Sequence, residues 1–283
     1  MKPQAKVIKL SEPDTDRNRL KKENTLYQGS ILLADGEVES PAAAERFRIL
    51  RAKIERLNLR RENNYHVLAV TSAVAQEGKS VTSVNLARAL SIDPAGKTLL
   101  IDCDLRRPTV HKFFGLEQEQ GLSDAIAGEA GIFDVIKPVT PRLDIITAGT
   151  PISDPPQAIE RPDIPRFLHL LRSKYRYIVV DCPPALLCSE PIRLSSIVDA
   201  TLLVVRAWRT EKRLVKDAVE VIGESKILGV VMNDAVDASK PYLDYGYYGY
   251  RPRRVDGALD FEFNNDNQDS APIQQSAANG GAD

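Results

Sequence analysis

One strand–loop–helix pattern constrains the fold of this chain more than any other feature. It begins at Val67 with an apolar, β-branched run, which is typical of a buried strand. A short loop ending in Gly78-Lys79-Ser80 follows, and the residues from Val81 to Leu90 have the pattern of a helix. Because the amides of such a loop and the N-terminus of the helix point at one anion, the pattern predicts a phosphate cradle. Lys79 would reach the β- and γ-phosphates, and the Ser80 hydroxyl would bind Mg²⁺.

The loop departs from the usual phosphate-binding pattern at two positions. Ala73 and Gln76 stand where that pattern often has glycine. A turn that carries Gly-Lys-Ser by chance is the alternative, but carboxylates follow on later strands, and this context favours a nucleotide site. The absence of an Asn-Lys-x-Asp guanine-reading motif favours ATP over GTP. We therefore predict ATP contacts from the end of the loop and the start of the helix: Gln76, Glu77, Gly78, Lys79, Ser80 and Val81.

Apolar strands alternate with amphipathic helices through the rest of the central sequence. This alternation predicts an α/β fold, with a mostly parallel sheet covered by helices on both faces. The predicted strands after the first are Lys97–Asp104, Leu143–Thr147, Tyr177–Asp181, Thr201–Arg206 and Ile227–Met232. The predicted helices are one that starts at Ser40-Pro41, short ones around Pro108–Phe114 and Leu122–Ala127, and longer ones over Gln157–Ser173 and Glu211–Gly223.

Three carboxylates end two of these strands. Asp102 and Asp104 are two apart, so on an extended strand they would share a face, and Asp181 ends a later strand. Ligands of such sheets sit beyond the carboxyl ends of the strands, where these groups would meet Lys79. Transfer of a γ-phosphoryl group needs these parts: a lysine on the phosphates, a magnesium ion held by a hydroxyl and a carboxylate, and a group that orients the attacking oxygen. A helix cap or a loop hydrogen bond is the alternative role for a single aspartate.

The whole composition excludes several classes of protein. A formal net charge of −1 argues against a general nucleic-acid binder. No apolar run approaches the ~20 residues of a membrane span, and the first nine residues lack the apolar core of a signal peptide. Cys103, Cys182 and Cys188 have no metal-ligand spacing and are typical of a reducing compartment. We predict a cytoplasmic protein.

Three motifs resemble those of the bacterial tyrosine kinases of polysaccharide synthesis, or BY-kinases, which are P-loop NTPases with a MinD/ParA-like fold. Thr71–Ser80 resembles their Walker A loop, Ile101–Pro108 their A′ motif, and Val179-Val-Asp-Cys-Pro-Pro184 their Walker B strand. The likeness covers about Ser40 to Tyr250. It implies that Lys79, Asp102 and Asp104 are catalytic, that Asp104 orients or deprotonates the acceptor tyrosine, and that Asp102 and Asp181 lie nearer the metal.

The resemblance also gives a meaning to one flank of the first helix. Glu45, Arg48 and Arg51 are each three residues apart, and from spacing alone they are a solvated face with weak local pairs. In the family this spacing is the contact motif of a ring of kinases.

At Ala75-Gln76, where the family usually has Pro-Gly, Gln76 must accept the backbone angles of the usual glycine, at ~1–3 kcal/mol of strain. The sequence does not tell whether this departure weakens nucleotide binding or turnover.

Five of the nine tyrosines fall within nine residues: Tyr242, Tyr245, Tyr247, Tyr248 and Tyr250. By composition alone the cluster is an aromatic turn or a segment that stacks on a partner. In the family a C-terminal tyrosine cluster is autophosphorylated, here in trans by a neighbouring subunit. The resulting domains are a flexible N-terminal tail (1–38), the P-loop tyrosine kinase domain (39–241), the tyrosine cluster (242–250) and a disordered C-terminal tail (251–283).

The family works with a membrane polysaccharide co-polymerase whose cytoplasmic end activates the kinase. This sequence shows no such membrane segment and resembles the split type, so we expect recruitment to the inner face of the membrane by a separate activator, with little activity alone. Two alternatives remain. One is a positioning ATPase of the ParA/MinD type, although the early loop, Ala73-Val74-Ala75, lacks the extra lysine of that group. The other is a catalytically weak, nucleotide-bound scaffold of the export machinery.

Overall fold

A computed structural model describes residues 6–9, 41–59, 64–234, 253–255 and 258–260 of the chain. The chain divides into two units, Met1–Val236 and Asp237–Asp283. The first unit contains the sheet, the helices and all the candidate site residues that the structure describes. In the second unit the described residues form a two-stranded antiparallel hairpin. The predicted phosphorylation sites from Tyr242 to Tyr250 lie outside the described residues.

An eight-stranded sheet forms the centre of the first unit, with the strand order β1-β8-β7-β2-β6-β3-β5-β4. Every neighbouring pair is parallel except β4 with β5. The sequence prediction of a mostly parallel sheet is therefore confirmed. The strands are β1 (Lys6–Lys9), β2 (Val67–Ser72), β3 (Thr98–Asp102), β4 (Lys137–Thr140), β5 (Leu143–Ile146), β6 (Tyr177–Asp181), β7 (Ala200–Arg206) and β8 (Ile227–Asn233), with β9 (Arg253–Val255) and β10 (Ala258–Asp260) in the hairpin.

Helices cover both faces of the sheet, as the alternation of strands and helices predicted. The α-helices are α1 (Pro41–Leu59), α2 (Lys79–Leu90), α3 (Val110–Phe113), α4 (Leu122–Ala127), α5 (Pro155–Glu160), α6 (Asp163–Arg172), α7 (Glu190–Ile197) and α8 (Lys212–Ile222). Alternate residues of β2 belong to different cores: Leu68 packs in one with Phe47 of α1, and Val67 in another with Ile164 of α6. Because both faces are covered, β2, β3 and β6 are buried along their whole length.

One prediction of local structure is corrected, and short strands lie within both predicted tails. The helix expected over Gln157–Ser173 is two helices, α5 and α6. The break comes at Arg161, which is extended (φ −60°, ψ 149°) because the ring of Pro162 disfavours a helical conformation in the residue before it. In the segment predicted to be a flexible N-terminal tail, Lys6–Lys9 form a parallel edge strand beside β8. Six residues of the predicted C-terminal tail form the β9–β10 hairpin.

The parallel arrangement puts the carboxyl ends of β2, β3, β6 and β7 at one edge of the sheet. The loop between β2 and α2, which we call the phosphate loop (residues 73–78), starts from this edge. Asp102 and Asp181 are Cα partners at the ends of β3 and β6. The candidate site therefore lies where the sequence placed it. No helix among the described residues is long and apolar enough to cross a bilayer.

Candidate active site

Two residues of the phosphate loop have a left-handed backbone. Gly78, the residue before α2, has φ +90°, which favours glycine, and a Cβ atom there would also collide with Nδ2 of Asn233. Gln76 has φ +65°, which confirms that a glutamine has taken up the angles of a glycine. Strain of this kind is typical of functional loops. The helix begins directly at Lys79, so its first free N–H groups lie at the loop.

Glu77 braces the phosphate loop with its side chain. The buried carboxylate accepts hydrogen bonds from the Val74 N–H at 2.9 Å and from the Thr210 hydroxyl, which follows β7. The Glu77 carbonyl accepts a hydrogen bond from Nδ2 of Asn233, at the end of β8, at 2.9 Å. The loop is thereby fixed to two strands before any ligand arrives. We predicted Glu77 as a nucleotide contact, and sequence reasoning missed this bracing role.

Lys79 lies among carboxylates at the end of the loop. Its Nζ donates to Oδ2 of Asp104 at 2.7 Å and lies 3.9 Å from Oδ2 of Asp181. It also donates to the Ser80 hydroxyl at 3.2 Å. Burial alone would favour the neutral amine, but Asp181 and Asp104 outweigh it and raise the pKa of Lys79 above its ordinary value. The side chain is therefore a fixed positive charge at the place where a phosphate would lie.

Asp181 is fully buried and only partly satisfied. Its Oδ1 accepts a hydrogen bond from the Ser83 hydroxyl at 2.9 Å, whereas its Oδ2 has no hydrogen-bond partner among the described residues. Burial raises the pKa of Asp181 against the attraction of Lys79. The Lys79 ammonium, 3.9 Å from this oxygen, is too far for a hydrogen bond, and a closer cation would satisfy the oxygen. Asp181 and the nearby Ser80 hydroxyl are both oxygen donors, the type that a hard divalent ion prefers.

Asp102 holds the loop that follows β3. Its Oδ1 accepts from the Asp104 N–H at 3.1 Å, and its Oδ2 accepts from the N–H groups of Thr109 and Val110 at 3.2 and 3.1 Å. β3 ends at Asp102, so the strand face expected for Asp102 and Asp104 does not form. Burial, and then the Asp181 carboxylate, raise the pKa of Asp102. The sequence left two roles open for a strand-end aspartate, a carboxylate of the site or a cap or loop hydrogen bond. The contacts of Asp102 in the structure are loop hydrogen bonds.

Asp104 is the carboxylate that faces Lys79. Its Oδ2 binds Lys79, and its Oδ1 accepts a hydrogen bond from the Arg107 N–H at 3.0 Å, which fixes the plane of the carboxylate. Only 4% of Asp104 is exposed. Among the described residues there is no cluster of three or more His, Cys, Asp or Glu side chains able to bind a metal by themselves. A metal here would need ligands from phosphate oxygens as well.

The predicted subunit-contact flank on α1 divides into two parts. Arg48 pairs with Glu45 at 3.0 Å, and both side chains are about half exposed. Arg51 instead turns towards α2, where it donates to the Ala89 carbonyl at 3.4 Å and lies 3.5 Å from Glu55. Glu45 and Arg48 are therefore available to a partner, whereas Arg51 takes part in packing within the chain.

Comparisons with known proteins agree with this site. A family model described as an AAA domain matches residues 66–208, which contain the phosphate loop and all three aspartates. The tyrosine-protein kinase YwqD of Bacillus subtilis is 32% identical over 209 residues, with 73% of this chain and 86% of YwqD covered.

Two solved structures extend the comparison. The kinase domain of the Escherichia coli tyrosine kinase ETK has 27% identity and a TM-score of 0.70, covering 86% of this chain and 94% of that domain. A chimeric protein named CapA2B2 has 25% identity and a TM-score of 0.69, covering 82% of this chain and 95% of the chimera. With its phosphate loop, its lysine held by aspartates and these relatives, the chain belongs to the bacterial tyrosine kinases, P-loop enzymes that bind ATP and phosphorylate protein tyrosine.

Proposed function

We propose that this kinase is an autokinase that phosphorylates the tyrosine cluster of a neighbouring copy and thereby regulates the synthesis and export of a polysaccharide. The observation that carries the proposal is the position of Lys79, whose ammonium lies 2.7 Å from Asp104 and 3.9 Å from Asp181 at the end of the phosphate loop. This arrangement supplies the positive charge and the carboxylates that γ-phosphoryl transfer requires.

The donor set suits Mg²⁺ bound together with ATP. The Ser80 hydroxyl and Oδ2 of Asp181, which accepts no hydrogen bond from the described residues, would hold the ion, and the ion would neutralise charge on the phosphate oxygens. Asp102 would hold the loop that carries Asp104 in place, because its oxygens accept hydrogen bonds from backbone N–H groups of that loop. The N–H groups from Gln76 to Val81 would cradle the phosphates, with Glu77 keeping the loop in shape.

Asp104 is the candidate for the acceptor side. As ATP binds, the Lys79 ammonium would exchange Oδ2 of Asp104 for phosphate oxygens, which frees this oxygen for the hydroxyl of an incoming tyrosine. Oδ1 would stay on the Arg107 N–H, so the carboxylate would keep its orientation. Asp104 would then orient the tyrosine O–H or accept its proton, the role of the carboxylate base in kinase chemistry.

The acceptor would come from another copy of the chain. The exposed pair Glu45 and Arg48 is the proposed contact of a ring in which each subunit offers Tyr242, Tyr245, Tyr247, Tyr248 and Tyr250 to its neighbour. The proposed activator is the cytoplasmic end of a membrane polysaccharide co-polymerase, which would recruit the kinase to the inner face of the membrane. The structural likeness to the chimera CapA2B2 supports a kinase that works with a second protein.

Anti-phosphotyrosine blotting tests the proposal, with the chain expressed beside its activator. We expect strong labelling of the wild type, none of Lys79→Met, and none when the five clustered tyrosines are changed to phenylalanine. Lys97→Met is the matched control: Lys97 also pairs with an aspartate, Asp144 at 3.1 Å, but away from the site, so labelling should persist.

Each of the other results contradicts the proposal. An unlabelled wild type that still binds ATP would indicate the scaffold, the function that the strained Gln76 favours. ATP hydrolysis without phosphotyrosine would indicate a positioning ATPase. Labelling that survives in Lys79→Met, or that persists elsewhere in the chain after the five tyrosines are removed, would exclude the proposed site or the proposed acceptor.

A further inference from the structure

A cavity of about 190 Å³ lies beside the active-site loop and has no part in the mechanism above. Its first wall is the segment that directly follows Asp104, and its second wall is the loop that follows β5. We call it the side cavity. The residues that shape it are Leu105, Arg106, Pro108, His111, Lys112 and Thr150. Its volume suits one side chain and is smaller than a pocket for a drug-sized ligand.

Two cations line the side cavity. Arg106 uses its Nε to donate to Glu190 at 2.7 Å, and this bond orients the guanidinium. The terminal NH groups of Arg106, and the ammonium of Lys112, make no hydrogen bond with the described part of the chain. These donors favour an anion, and a fixed guanidinium is suited to a phosphate group in particular.

His111 adds an unsatisfied polar atom. It is only 8% exposed, and its Nδ1 is buried without a hydrogen-bond partner among the residues that the structure describes. Burial, and then the charge of Lys112, lower the pKa of His111. A buried polar atom without a partner costs free energy, and a ligand would recover that cost once a turn of the ring brings the atom to the cavity.

The walls of the side cavity are already fixed in place. Asp124 accepts hydrogen bonds from the N–H groups of Gly121 at 2.7 Å and Thr150 at 3.1 Å, and Ser123 donates to the Thr150 carbonyl at 2.7 Å. The opposite wall is held by Asp102, which binds the N–H groups at the start of α3. Little ordering would be needed on binding, which is typical of a true ligand site.

We propose that the side cavity binds the phosphotyrosine side chain of an acceptor segment that has already been modified once. The aromatic ring would pack on Leu105 and Pro108, and the phosphate would lie between Arg106, Lys112 and His111. This inference rests on the proposed function, because it takes the tyrosine cluster of another copy as the acceptor. It adds that the first phosphate holds the segment in place for the next transfer.

The spacing of the tyrosines fits successive transfers in which each phosphotyrosine holds the segment for the next. Neighbouring tyrosines in the cluster are one to three residues apart. An extended chain covers about 3.3–3.6 Å per residue, so the Cα atoms of neighbouring tyrosines are at most roughly 11 Å apart. The side cavity begins at Leu105, one residue after Asp104. A phosphotyrosine in the cavity would therefore leave the next tyrosine within reach of Asp104.

Binding of phenyl phosphate to the full chain is the first test, measured by calorimetry in the Lys79→Met background with inorganic phosphate as the second probe. We expect phenyl phosphate to bind more tightly than inorganic phosphate, because only the ester carries a ring. Lys112→Ala and Arg106→Ala should each weaken it about tenfold or more, since each removes a charge-assisted hydrogen bond. Lys216→Ala, which removes an exposed lysine of α8, should leave the affinity as it was. Equal affinity for both probes, or no effect of Lys112→Ala, would overturn the proposal.

The second test reads the order of phosphorylation by mass spectrometry of the full chain with its activator. In the wild type we expect unmodified and multiply phosphorylated chains to coexist, with few singly phosphorylated ones. In the Lys112→Ala variant, singly phosphorylated chains should accumulate during the reaction. The same distribution in both proteins would contradict the proposal. The calorimetric test does not require kinase activity. Failure of the autokinase proposal and failure of the side-cavity proposal therefore give different results.

Discussion

Gln76 is held in a left-handed conformation (φ +65°) at the centre of the phosphate loop. For a residue with a side chain this conformation costs about 1–2 kcal/mol. Glycine would remove that cost, but the unfolded chain would have more conformational freedom to lose on folding, which would lower the free energy of unfolding by about 0.5–1 kcal/mol. We therefore expect Gln76→Gly to raise the free energy of unfolding by about 0.5–1 kcal/mol, measured by urea denaturation.

Gln157→Gly is the matched control for Gln76→Gly. Gln157 lies within α5, where glycine is unfavourable, so this change should lower the free energy of unfolding by about 1 kcal/mol. A loss of stability in Gln76→Gly would show that the glutamine side chain contributes more than its backbone costs. That result would contradict the view that the backbone at Gln76 is strained.

The sequence predicted the neighbours of Lys79 better than the roles of those neighbours. Asp104 and Asp181 could be placed beside Lys79, because the ends of parallel strands meet at one edge of the sheet. The bracing by Glu77 could not be predicted, because its partner Thr210 is 133 positions away in the chain. The loop hydrogen bonds of Asp102 could not be predicted for a related reason: they depend on where β3 ends and on how the next loop turns back.

Helix α2 connects the phosphate loop to the predicted subunit-contact flank. It begins at Lys79 and ends at Leu90, and Arg51 donates to the Ala89 carbonyl in its last turn. The Ala89 carbonyl also accepts a hydrogen bond from the Ile92 N–H at 3.4 Å, and a cation at this end of the helix interacts favourably with the helix dipole. The three residues of the flank therefore have unequal roles, although the sequence spacing treats them alike.

The variants Arg51→Ala and Arg48→Ala should separate these roles. Arg51→Ala should lower the free energy of unfolding of the monomer by about 1 kcal/mol, because it removes a partly buried hydrogen bond. Arg48→Ala removes an exposed i,i+3 pair worth only about 0.2–0.5 kcal/mol, so its main effect should be a smaller assembly in light scattering. Unchanged mass in Arg48→Ala would contradict the proposed contact.

Most helices and strands could be predicted from the spacing of apolar residues. The missed features do not show such a pattern clearly. The buried strands β2, β3 and β6 are apolar runs, which the sequence shows directly. β4 is a short edge strand with Pro138 in it, so it has neither an apolar face nor a continuous set of N–H donors. The break between α5 and α6 was missed because apolar residues, Ile159 and Ile164, lie on both sides of it, although Pro162 marks it.

The charge of the whole molecule is close to balance before phosphorylation. The formal net charge is −1 over 283 residues. Each phosphate adds about −1.5 to −2 at neutral pH, so modification of the whole cluster would add on the order of eight to ten negative charges per chain. The site that receives the cluster already contains three aspartates with one lysine between them. Apart from the cations of the side cavity, the product segment therefore meets a site whose carboxylates have the same sign of charge as its phosphates.

Complete phosphorylation should for this reason dissociate the assembly. The side cavity can hold one phosphate, but the other four would remain near Asp102, Asp104 and Asp181 without cations to match them. We expect light scattering to give a lower mass for the phosphorylated protein, and a phosphatase to restore the higher mass. The variant with five phenylalanines should keep the higher mass with ATP present, because its cluster gains no charge. Equal masses with and without phosphatase in the wild type would show that repulsion at the site is too weak to separate the subunits.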